Sequence, residues 1–127
     1  MKTGKRITRA ARPEDLADLL ARPPRASLAF AAGGTVDAAP VAFRFDGGRY
    51  WVGMDAESAV RVENARVVLL VDDGCYHSEL RGVSVRGRAL PGDGPPGAAA
   101  TGLIWLEVAP DKVTAWNYGA MRSREAQ

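Results

Sequence analysis

His77 and Cys75 are the first residues to weigh as chemistry, since an imidazole and a thiolate two positions apart can share a metal ion. They are the only histidine and the only cysteine in the chain. A ligand set would need distant carboxylates to complete it, and Asp72 and Asp73 close by suit a polar turn, so no metal is expected. The carboxylate pairs Glu14/Asp15 and Asp72/Asp73 fall at a helix start and a turn, where structural roles suffice. There is no Gly-x-Ser-x-Gly, no glycine-rich loop leading into Lys-Ser/Thr, and no Gly-x-Gly-x-x-Gly after a strand. Gly82 and Gly87 bracket Val-Ser-Val-Arg at the wrong spacing for a phosphate loop. No catalytic residue can therefore be named. Any enzymatic reaction must be carried by a bound cofactor.

Bulk properties narrow the setting. The chain has 127 residues, enough for one domain that buries about two thirds of its unfolded surface. A hydrophobic fraction of 46% with 25% charged residues is that of a globular protein. One cysteine permits no internal disulfide, which favours a reducing, cytoplasmic setting. The longest strongly apolar run, 67–71, is far too short to span a membrane. The net charge is only +2, and part of the excess sits in Lys2, Lys5, Arg6, Arg9 and Arg12. No aromatic residues interleave with these cations to stack on bases, so residues 1–12 are expected to be a flexible, solvated tail with no nucleic-acid role.

The elements that would position any site are short. Residues 12–21 read as a helix, with Pro13 at its start, Glu14 and Asp15 against the helix dipole, and Leu16, Leu19 and Leu20 on one face. Extended segments follow at 27–32 and 39–45, the second with Val41, Phe43 and Phe45 on one face. Asp46-Gly47-Gly48 is a hairpin turn into a strand at 49–54. Asp55 caps a short helix over 56–64. The apolar run at 66–72 reads as a strand buried on both faces. Residues 78–90 form a long strand that Gly82 and Gly87 bend, and 91–102 is a loop. A last hairpin is expected from 103–108 and 112–118 around Ala109-Pro110-Asp111, with 121–127 frayed. Six or seven antiparallel strands and two short helices make a mainly β domain over 13–120, a small barrel or sandwich.

Four segments, APVAFRFDGGRYWVG (39–53), RVVLLVDD (66–73), LRGVSVRGRA (80–89) and VAPDKVTAWNY (108–118), occur in an order that resembles the pyridoxamine 5′-phosphate oxidase-like split β-barrels. The resemblance implies a homodimer with FMN, or alternatively the deazaflavin coenzyme, in a groove between subunits. It implies a flavin- or deazaflavin-dependent oxidoreductase acting on a small molecule. Pro40, Val41 and Phe43 would line the ring. Gly53, Met54, Ser58 and Arg61 would meet the phosphate arm, and Trp116 and Tyr118 would reach the groove from the second subunit.

The sequence departs from that pattern at the phosphate. Met54 stands where the family often has Ser or Thr, and the expected lysine near Val60 or Arg61 is missing. Arg61 and Arg66 are the only nearby cations, and Ser58 is the only hydroxyl in the helix. The loop at 91–101 is too short for the helix that many relatives carry there, which would leave one side of the groove open. These departures keep a second reading alive: a split barrel that binds flavin without catalysis, or has no cofactor.

Overall fold

Two glycine pairs fix the register of the sheet. Gly33 and Gly34 have φ of +60° and +82°, the geometry of a two-residue hairpin turn whose twist matches its strands. They join β2 (Arg25–Ala32) to β3 (Thr35–Pro40), so that Ala32 faces Thr35 and Phe30 faces Asp37. Gly47 and Gly48 likewise join β4 (Ala42–Asp46) to β5 (Arg49–Met54). The protein is seen here in a computed structural model that describes residues 10–23, 25–74 and 80–117. The expectations placed on residues 1–9, on Cys75 and His77, on Tyr118 and on 121–127 lie outside the described residues.

The remaining elements are β1 (Ala10–Ala11), a 3₁₀ turn (Pro13–Leu16), α1 (Ala17–Ala21), α2 (Ala56–Val62), β6 (Arg66–Asp73), β7 (Arg81–Pro91), a second 3₁₀ turn (Ala98–Thr101) and β8 (Ile104–Asn117). Strand order is β3-β2-β6-β7-β8-β5-β4, antiparallel throughout, and β1 pairs with the end of β8. The two outer strands of that order, β3 and β4, are consecutive in the chain and separated by Val41 alone. Val41 donates its N–H to the Ala26 carbonyl at 3.0 Å. One extended run thus leaves one edge of the sheet and joins the other, and the sheet curls into a half-barrel. The strand expected at 39–45 is therefore two strands that begin four residues earlier.

The core is the concave face of this sheet. Leu28, Leu69, Val71, Val83, Val85, Leu106, Val108 and Val52 are almost wholly buried there. Leu16, Leu19 and Leu20 from the first turn and α1 close one end, and Ala59 and Val62 of α2 pack in as well. Burial of each such side chain contributes roughly 1.5–3 kcal/mol. A smaller cluster of Trp51, Trp105 and Ala98 lies on the convex face under the 92–103 loop.

Two expectations are corrected. Residues 66–73 are not buried on both faces: Val67, Leu69 and Val71 are buried, while Val68 and Leu70 are half-buried on the convex side. Antiparallel sheets commonly leave one face to be covered by something else or by water. There is also no closing hairpin, because β8 runs unbroken through Ala109-Pro110-Asp111. Lys112 faces Arg86 and Pro110 faces Gly87, which leaves Asp111 as the extra residue of a β-bulge. A bulge tolerates proline because the ladder loses a hydrogen bond there anyway. Glycine is required opposite, since a Cβ at Gly87 would lie 2.0 Å from the Ala109 carbonyl oxygen.

Candidate functional site

The register of the first hairpin and the cap of α2 together build a groove. Asp55 is extended, and its carboxylate accepts the Ser58 N–H at 2.7 Å, which starts α2 where β5 ends. The helix then runs beside β3, with Leu28 and Phe30 of β2 beneath. The resulting cavity, about 320 Å³, has Val41, Met54 and Val62 among its apolar walls and Asp37, Asp55, Ser58 and Arg61 as its polar groups. That size is at the lower end of ligand pockets, roughly 300–1,000 Å³. A second cavity on the convex face of β2, β6 and β7 and a third between Pro13 and Tyr50 are of about 360 Å³ each. The groove beside α2 is the one that combines a hydroxyl, a guanidinium and an aromatic floor.

Of the nine residues expected at a site, five line this groove: Pro40, Val41, Met54, Ser58 and Arg61. The other described ones point elsewhere. Phe43 faces Val52 and packs on the main core. Gly53 lies on the convex face, where a Cβ would meet the Trp105 ring at 2.9 Å. Trp116 also lies on the convex face, over Gly82. The residue that sequence reasoning missed is Asp37. The Gly33-Gly34 turn was the signal for it, because that turn alone sets Asp37 across from Phe30.

Charges in the groove are already matched to each other. Arg61 Nη2 is 2.7 Å from Asp37 Oδ2, with both side chains about half exposed. The same guanidinium lies 5.2 Å above the centre of the Phe30 ring. Hydrogen bonds from the Ser58 backbone and side chain hold the Asp55 carboxyl below the usual range. Asp55 therefore remains an anion at the start of α2. Val60, near the position of the missing lysine, is an exposed apolar residue, 77% accessible.

The flavin that the resemblance implies meets this groove in two parts. The groove's apolar side includes Pro40, Val41 and Met54. The polar end does not fit a phosphate: its one cation is bonded to Asp37, its helix amide is bonded to Asp55, and carboxylates outnumber guanidinium groups two to one. Among the described residues no group of three or more His, Cys, Asp and Glu side chains could hold a metal. No helix among them is long and apolar enough to cross a membrane.

No protein-family model matches the sequence, and no curated protein matches it either. Solved structures do. A conserved hypothetical protein of Mycobacterium tuberculosis superposes with a TM-score of 0.74 at 17% identity, over 91% of this chain and 90% of its own. An FAD-binding protein of Mycobacterium smegmatis gives 0.66 at 17% identity, over 83% and 95%. A candidate pyridoxamine 5′-phosphate oxidase of Corynebacterium glutamicum gives 0.64 at 15% identity, over 84% and 90%. At these identities the likeness is one of fold, and the chain has the split-barrel fold that its four sequence segments resemble.

Proposed function

We propose that this protein binds a flavin-type ring in the groove between β3 and α2, as a homodimer in the cytoplasm, and serves as an oxidoreductase for a small-molecule substrate. The observation that carries the reading is the convergence of Pro40, Val41, Met54, Ser58 and Arg61 on one cavity whose lining mixes apolar side chains with a hydroxyl and charged groups. The FAD-binding protein of M. smegmatis, with the same fold, supports a flavin as the occupant. A ring of this kind supplies the redox chemistry, and the chain supplies seat and surroundings. Pro40 and Val41 would lie against one ring face, and Ser58 would offer a hydroxyl at the rim. The half-buried Val68 and Leu70 of the convex face would be covered by the second subunit. Trp116, on that same face, reaches a ring only across such a contact.

Titration of riboflavin, FMN, FAD and the deazaflavin coenzyme into the purified protein, followed by absorbance and fluorescence, tests the reading. Saturable binding of a flavin-type ring supports it, and no change with any of the four removes it. The second reading, a split barrel without catalysis, is favoured by one observation: the ion pair of Arg61 with Asp37 takes up the cation that a phosphorylated cofactor needs. Reduction of the bound ring by a nicotinamide donor, followed by turnover, decides between the two.

A further inference from the structure

Asp37 is the anion paired with Arg61 in the groove. It is held there by the chain itself, since the Gly33-Gly34 turn fixes β3 against β2 and sets Asp37 opposite Phe30. Arg61 completes the arrangement from α2, bonded to Asp37 at 2.7 Å and stacked over Phe30. Asp55 adds a second carboxylate beside Ser58. The charged groups that line the groove are these three, and they sum to one negative charge.

A phosphate carries between one and two negative charges at neutral pH. A phosphate that reaches the Arg61 guanidinium shares it with Asp37, bonded there at 2.7 Å, and has Asp55 as a second carboxylate lining the same groove. A ring with an uncharged arm meets no such obstacle. We infer that this groove selects a flavin-type ring with an uncharged arm, and that Asp37, by holding Arg61, discriminates against a phosphorylated one. The inference rests on the flavin-ring reading given above and names the ligand class within it.

Riboflavin and FMN share the ring and differ in the phosphate, so they are the probes. Quenching of flavin fluorescence is measured for the wild type, for Asp37→Asn, and for Asp37→Asn combined with Arg61→Gln, at low and at high salt. The pair is about half exposed, so these changes should cost little stability, and a thermal melt confirms that each variant is folded. The wild type is expected to bind riboflavin roughly tenfold tighter than FMN, the scale of one charge-assisted contact. Salt should narrow that gap by screening. Asp37→Asn should bring FMN level with riboflavin and lose the FMN gain when Arg61→Gln is added. A wild type that prefers FMN, or an Asp37→Asn variant with an unchanged FMN-to-riboflavin ratio, overturns the selectivity and leaves the flavin reading standing. Failure of both ligands to bind every variant overturns the flavin reading, and the selectivity falls with it.

Discussion

Replacing Gly87 by alanine places a methyl carbon where β8 already lies. A Cβ there would sit 2.0 Å from the Ala109 carbonyl oxygen, 2.8 Å from its carbon and 3.1 Å from the Cα of Pro110. These are backbone atoms, so no rotamer relieves the overlap. Ordinary contact begins at 3.4 Å, so β8 must withdraw by roughly 1.4 Å and weaken the ladder on both sides of the bulge. Loss of one or two ladder hydrogen bonds with the packing around them costs about 2–4 kcal/mol. For a chain of this length that lowers Tm by about 8–16 °C. Gly82→Ala is the comparison. Its Cβ would meet the Trp116 ring at 2.5 Å, a half-buried side chain that can swing aside, and the Val71 carbonyl oxygen at 3.0 Å, a far milder backbone overlap than that at Gly87. It should cost less than half as much. Thermal unfolding of both variants by circular dichroism tests this. A Gly87→Ala protein that melts within about 2 °C of the wild type, or below which Gly82→Ala falls, would refute the bulge at Asp111.

Thr101→Val should destabilise by about 1–3 kcal/mol, because Trp105 Nε1 donates to Thr101 Oγ1 at 3.0 Å and would be left unpaired under the 92–103 loop; a red shift in tryptophan emission and a lower Tm report it. Arg81 bridges Asp18 at 2.9 Å and Asp73 at 3.0 Å, and its hydrogen bonds hold both carboxyls below their usual range. Depressed carboxylates stabilise the fold above the unfolded value of about 3.9, and that contribution disappears as pH falls through the lower folded values. Arg81→Leu should therefore flatten the decline of Tm below about pH 4, and an unchanged acid limb would count against the bridge. On the proposed dimer, light scattering should give two chains for the wild type and one for Leu70→Lys, on the convex face of β6.

Much of the frame is legible locally. Asp-Gly-Gly at 46–48, the Asp55 cap, the leucines of α1 and the alternation in β5 each state their own structure. The errors share a physical cause. Ala109-Pro110-Asp111 has the composition of a turn, and only the glycine across the sheet at position 87 makes it a bulge. Residues 35–38 are exposed throughout and have no apolar period to mark a strand, so Asp37 was invisible until the glycine turn was followed residue by residue. The ion pair of Asp37 with Arg61 joins a hairpin to a helix across 24 positions. No local pattern encodes it. The groove was half legible for the same reason: the apolar positions at 41 and 54 follow from strand period, and the charges that face them do not.

The location of the ring is the central claim, and amide chemical shifts measure it directly. In ¹⁵N-labelled wild-type protein titrated with riboflavin, the largest perturbations should fall on Val41, Met54, Ser58, Arg61 and Val62, around the groove beside α2. Perturbations centred instead on Val68 and Arg86 of the convex face, or on Trp51 and Trp105 under the 92–103 loop, would contradict the assignment, as would a spectrum that riboflavin leaves unchanged.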